Sequence, residues 1–262
     1  MRGAAISWAV VILSLAAPAL AEEPLRLTYR TYAVGVPVAD VEARIVLGPW
    51  SYQLALAFRT TGVAALVIGG YHTSSVYGIW RNDLAVPRQY TSDSVWHGET
   101  RAVLIDYDQG IPTVGRLVPP PEPEQEPVGA DLQANSIDPL SALAALMRIV
   151  ARSGRCDTGV RTFDARRAAE MTVHTVGMET LEPSGRSSFS GKALRCDFVS
   201  RILAGFRVDQ ADKTDYRPLR GSAWLAVAVP GRPPVPVRMT LETRWFGGVT
   251  SYLTGAEASG RP

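Results

Sequence analysis

The amino-acid sequence predicts a mainly β protein: a single curved antiparallel sheet forming an open barrel or spiral, with one principal helix. Three observations carry this prediction. From Leu25 onward, apolar and polar residues alternate with period two through most of the chain, the mark of strands with one wet face. Gly, Pro, Asn and Asp punctuate these runs at short intervals. Only one segment, about residues 138–152, carries a helical apolar stripe between start and stop signals.

The first 21 residues, MRGAAISWAVVILSLAAPALA, stand apart from that pattern. One positive charge (Arg2), an apolar run from about Ala4 to Ala17 and a small-x-small end at Ala19-Leu20-Ala21 have the layout of a cleavable export signal. The run is shorter than the roughly 18–20 residues needed to span a bilayer. Residue 22 is Glu rather than Cys, so no lipid-attachment site follows. The expected mature chain is residues 22–262, a single β-rich domain delivered to the periplasm, with no membrane span after cleavage. Losing Arg2 takes the formal charge from +2 to +1. So even a balance argues against a nucleic-acid binder, which presents a strongly basic face.

Within "VADVEARIVL", Ala39, Val41, Ala43, Ile45 and Leu47 share one face, and Asp40, Glu42 and Arg44 share the other. "WSYQLALAF" repeats the pattern with Trp50, Tyr52, Leu54, Leu56 and Phe58, after a turn at Gly48-Pro49. Further strands are expected at about 71–81, 86–95 and 99–106. The last ends in "DYDQG", which lacks the ligand set of a calcium loop and reads as a turn. Residues 118–127, "VPPPEPEQEP", have few backbone donors and no apolar face, as expected of an extended loop. Asp138 then caps the helix, Pro139 suits its first position, and Leu140, Leu143, Ala144, Met147, Val150 and Ala151 form the stripe before Gly154 stops it. "VRTFDARRAAEMTVHTV" reads as a hairpin turning at Asp164-Ala165-Arg166. "KALRCDFVS", "GSAWLAVAV" and "VPVRMTLETRWF" supply more strands, the last with Pro236 marking an edge at its start. The reading amounts to about ten to twelve strands.

The two cysteines, Cys156 and Cys196, form an even count in an exported chain, which predicts a disulfide. Chain entropy assigns such a loop closure roughly 4 kcal/mol. His72, His97 and His174 are scattered without zinc spacing, and no phosphate, dinucleotide, nucleophile-elbow or thiol-redox motif occurs. No cofactor or metal is therefore expected. Asp93 and His97 near Ser92 and Ser94 form only a chance fragment of a triad, so no catalytic residue is assigned and the chain is not read as an enzyme.

The segment "TTGVAALVIGGYHTSS" (60–75) is oilier than the strands it joins. Gly62 to Gly70 predicts a short apolar helical turn facing inward. It can plug the open end of the barrel with Leu66, Val67 and Ile68 as core. Alternatively it is a lid over an apolar cavity walled by Tyr71, Trp80 and Trp96.

The opening "LTYRTYAVGVPVADVEARIV", then "DPLSALAALMRIV" (138–150), "RCDTGVRTFDARR" (155–167), "LRCDFVSRILAGFR" (194–207) and "AWLAVAVPGRPPVPVRMTLETRW" (223–245) occur in this order. Together they resemble the exported bacterial family catalogued as domain of unknown function 3108. The resemblance implies a periplasmic, β-rich protein and carries no family catalytic residues. The expected function is a non-catalytic cell-envelope protein that binds a lipid or other apolar ligand. The alternatives are an interaction module docking envelope proteins through its sheet edges and Pro/Glu loop, and, last, an unrecognised hydrolase.

Overall fold

Among the described residues, thirteen strands, each hydrogen-bonded antiparallel to its neighbours, make one sheet that does not close on itself. The computed structural model describes residues 23–122, 125–207, 216–243 and 247–258, except the side chains of Val67 and Ile68. The leader, read from residues 1–21, lies outside these. In the first half, β1 (Leu25–Ala33), β2 (Val36–Leu47) and β3 (Ser51–Thr60) lead to the short helix α1 (Gly62–Ile68). There follow β4 (Gly70–Arg81), β5 (Leu84–Trp96), β6 (Glu99–Asp108) and β7 (Ile111–Val118). A short helix α2 (Ala130–Gln133) and the long helix α3 (Pro139–Ser153) separate the halves. The second half is β8 (Thr158–Phe163), β9 (Ala168–Leu181), β10 (Gly191–Ala204), β11 (Leu219–Ala226), β12 (Val235–Thr243) and β13 (Gly247–Ala258).

Both halves are meanders, joined where β1 pairs with β13, so β7 and β8 are the two edges. The linker fills the seam between those edges. Asn135 donates its N–H to Gly110 O at the β6–β7 turn, and Ile137 donates to Arg161 O on β8. Arg161 in turn donates to Asp131 O. The Pro/Glu loop is fastened as well: Gln125 donates to Arg166 O, and Glu122 pairs with Arg207. The β8 edge thus pairs with the linker, Ile137 bridging Thr162, and the turn that begins the β7 edge is tied to the linker at Gly110.

Register explains the core. Leu25, Ile45, Leu54, Val76, Tyr90 and Ile105 are successive Cα partners across β1 to β6, and all six are buried. Period two sends each to the same face. Helix α3 lies against that face over β3, β4 and β5, and reaches β8. It buries Leu140, Ala142, Ala144, Leu146, Met147 and Val150. Asp138 caps it by accepting the Ser141 N–H at 2.9 Å, and Gly154 ends it at φ 66°, a conformation glycine adopts without strain. Tyr52, fully buried, holds the helix from the sheet side: its hydroxyl and Ser141 Oγ lie 2.8 Å apart. Cys156, just beyond the helix, is disulfide-bonded to Cys196 on β10, and both are fully buried.

Pro236 reads differently in space. Its strand β12 is interior to the sheet, but the β12–β13 ladder begins only at Arg238. On its other side Pro236 opposes Leu225 beside a bulge. The missing N–H therefore falls where the ladder has not started.

Candidate functional site

The face of β2 to β5 turned away from α3 has a different composition from the inner one. One residue along from each core position, the row runs Arg44, Ala55, Ser75, Thr91, Leu104 and Arg116. Small side chains replace the large ones where the row crosses β3, β4 and β5, and the surface sinks there into a trough of about 910 Å³. Val46, Trp50, Ala55 and Tyr77 give it a mostly apolar lining, with Pro24 and Pro49 at one end. A shallower continuation of about 280 Å³ shares Arg44, Ala55, Ser75 and Thr91 and extends to Ala57 and Thr73.

The polar groups on the floor satisfy one another. Ser75 Oγ and Thr91 Oγ1 lie 2.8 Å apart, Gln89 donates to Asp106 at 2.8 Å, and Thr73 donates to Asp93 O at 3.4 Å. Ligand contacts there fall to hydrocarbon and to the exposed Trp50, which is 81 % accessible. Arg44 and Glu42 are the charged residues of the lining. No His or Cys lines it, and Glu42 is the carboxylate of its lining.

On the second half, Glu179 and Asp197 lie within a hydrogen-bonded cluster. Glu179 accepts from Trp224 Nε1 at 2.7 Å and from Arg195 at 3.0 Å, and these bonds hold its carboxyl below the usual range. Asp197 accepts from Ser222 at 2.6 Å and from Arg195 at 2.9 Å. Among the described residues, no three His, Cys, Asp or Glu side chains converge as metal ligands would.

The residues singled out by the sequence are not brought together. Leu66 is 87 % exposed and Val63 68 %, so α1 does not face inward there as expected, neither as plug nor as cavity lining. The interior it was to fill is already occupied by Tyr52, Trp80 and α3. The side chains of Val67 and Ile68 lie outside the described residues. Trp80 is core rather than cavity wall: it packs 4.6 Å from Tyr52, donates to Gly48 O and carries Arg148 over its ring at 4.4 Å. Trp96 is half-buried against Phe58, and Tyr71 is exposed on the outer face. The trough residues went unrecognised because alternation grouped Trp50 with Tyr52, whereas Trp50 precedes the strand and leaves its register. The run Ser51, Gln53, Ala55, Ala57 was the available signal: small or polar side chains on one face of a strand.

The fold is shared with a solved structure. A β-barrel-like protein of domain of unknown function DUF1849 from Brucella abortus superposes with a TM-score of 0.55 at 12 % identity, covering 91 % of this chain and 99 % of that one. A putative exported protein with YmcC-like fold from Bacteroides fragilis aligns at a TM-score of 0.36 and 12 % identity, covering 90 % of this chain and 96 % of that one. No curated protein matches the chain. The family described as protein of unknown function (DUF3108) matches residues 26–254, and the chain belongs to that family.

Proposed function

We propose that this protein is a non-catalytic, periplasmic component of the cell envelope that binds an extended apolar ligand, a lipid acyl chain, in the trough on the outer face of β2 to β5. The observation that carries the reading is the trough itself, mostly apolar in lining and with internally paired floor hydroxyls. An acyl chain needs apolar area and no oriented donors, which is what such a floor supplies. The buried disulfide suits an oxidising compartment, in keeping with the leader. Docking through the edges and the Pro/Glu loop has less support, because the seam segment pairs with β8 and the loop is tied to Arg166 and Arg207.

The test is equilibrium binding of a fluorescent fatty acid to the mature protein. Ala55→Trp fills the floor and should weaken binding roughly tenfold or more, by removing buried apolar contact. Its melting temperature should stay close to that of the parent. No uptake by the unmodified protein, or equal uptake by Ala55→Trp, rejects the trough as the site.

A further inference from the structure

The oily segment between β3 and β4 raises the question of why hydrocarbon should be displayed to water. Val63 and Leu66 on α1 are 68 % and 87 % exposed; Val34 in the adjoining β1–β2 turn and Val36 at the start of β2 are 76 % and 51 % exposed. The two turns are in contact: Thr61 donates its N–H to Val38 O at 2.9 Å, and a Cβ on Gly62 would stand 3.3 Å from Pro37 O. They form one apolar tip at one end of the sheet.

No Asp, Glu, Lys or Arg occurs from Thr31 through Ala39, or from Thr60 through Trp80. The one titratable base there, His72, is pushed toward its neutral form by burial. Exposed apolar residues at the opposite end lack this property. Leu84 follows Asp83 and lies near Arg81, and Ile111 follows a turn that starts at Asp108. Immersing those turns in lipid would strip water from charges; at the α1 tip the nearby guanidinium is that of Arg186, which donates to Gly35 O at 3.4 Å and, on its long stem, can stay among the headgroups.

The helix itself points the same way. Seven residues is well short of the roughly 12–15 at which an isolated helix becomes marginal in water, and Thr61 gives no side-chain cap. A protein partner would need oriented polar contacts, about one per 100–200 Å² of interface, and the exposed Val34, Val36, Val63 and Leu66 offer none. A bilayer needs none. At the base of the tip, Arg59 opposes Tyr71 in the β3–β4 ladder, and both are exposed. A guanidinium and a phenol at that level suit the headgroup layer.

We propose that the tip formed by α1 and the β1–β2 turn inserts into the surface of a phospholipid bilayer, with Leu66 and Val63 in the acyl boundary and Arg59 and Tyr71 among the headgroups. The shallow continuation of the trough, floored by Ala57 and Thr73, runs along β3 and β4 toward that base. A lipid held at the tip would lie at its mouth. The insertion does not depend on the trough being a binding site.

The experiment is flotation of the mature protein with vesicles of phosphatidylcholine alone, and with about one-third phosphatidylglycerol, which adds attraction for Arg59. The unmodified protein should float with both, and more strongly with the anionic set. Leu66→Asp should cut recovery roughly tenfold or more while leaving the melting temperature and fatty-acid uptake in solution unchanged. Leu84→Asp should float like the parent. Tryptophan placed by Leu66→Trp should be quenched by brominated lipid. Absence of flotation by the unmodified protein, flotation of Leu66→Asp at the parental level, or an unquenched Leu66→Trp each overturns the proposal. Fatty-acid uptake without vesicles reports on the trough alone, so failure of one reading is seen apart from failure of the other.

Discussion

Asp138 accepts the Ser141 backbone N–H at 2.9 Å and also accepts its hydroxyl, while being fully buried at the start of α3. Burial pushes its carboxyl up to about 6, against the lowering effect of both Ser141 bonds. The folded protein then binds a proton more tightly than the unfolded chain, whose carboxyl keeps its value of 3.8. Stability contributed by this group is therefore gained as pH falls through about 6, and lost as pH rises through it. Asp138→Asn keeps a cap oxygen but cannot titrate. Between pH 7 and pH 5 the parent should gain about 1 kcal/mol relative to that variant, measured by urea unfolding. Parallel pH profiles would show that Asp138 is not protonated in that window.

The link between Cys156 and Cys196 joins the exit of α3 to the middle of the second-half meander. Protein recovered from an oxidising compartment should yield the cross-linked peptide pair on non-reducing digestion. Replacing both cysteines by alanine should cost up to about 4 kcal/mol on the chain-entropy view. Free thiols in the recovered protein would contradict the bond, and a neutral double variant would contradict its weight.

Arg148 and Arg238 both lie over tryptophans, at 4.4 Å from Trp80 and 4.7 Å from Trp224, yet their surroundings differ. Arg148 donates to Asp83 at 3.1 and 3.0 Å and to Gly48 O at 3.4 Å. The Arg238 Nε is buried with no acceptor. Arg148→Met should cost about 2 kcal/mol through charged hydrogen bonds and the ring contact. Arg238→Met loses a similar ring contact but frees a buried donor worth about 1–3 kcal/mol, so its net effect should be near zero. Equal losses in urea unfolding would show that the ring contact, not the acceptor count, governs both.

Local chemistry was legible and long-range filling was not. The Asp138-Pro139 start and Gly154 stop place α3 to within a residue, because caps are settled by neighbours in sequence. The period-two runs place most strands for the same reason. The helical turn at Gly62 is legible too, but its direction is not. Whether Leu66 enters the core depends on Tyr52, Trp80 and Met147 having already filled it, and those residues come from three separate elements. The trough has the same character, since its floor takes side chains from β2, β3, β4 and β5, each unremarkable in its own strand. Trp80 illustrates both levels: alternation puts it on the face of Val76, but Arg148 arrives over its ring from 68 residues further along the chain.

Gly78 offers the sharpest check on how the sheet holds α3. It lies in β4 directly opposite Tyr52, and a Cβ there would fall 2.4 Å from the Tyr52 ring. Tyr52 cannot retreat easily: it is fully buried, packs on Trp80 at 4.6 Å and meets Ser141 through its hydroxyl. Gly78→Ala should therefore cost about 1–3 kcal/mol by overpacking. It should also act at a distance. A displaced Tyr52 pushes on Ser141 through the contact between their hydroxyls, and a Ser141 side chain moved off Asp138 would take away one of the bonds lowering that carboxyl. The pH step assigned to Asp138 should then shift upward in Gly78→Ala, as read from urea unfolding across pH 5 to 8. A destabilised variant with an unmoved step would place the damage in the sheet alone. A variant as stable as the parent would mean that β4 can draw back from Tyr52, and that this glycine is not what lets the ring and the helix meet.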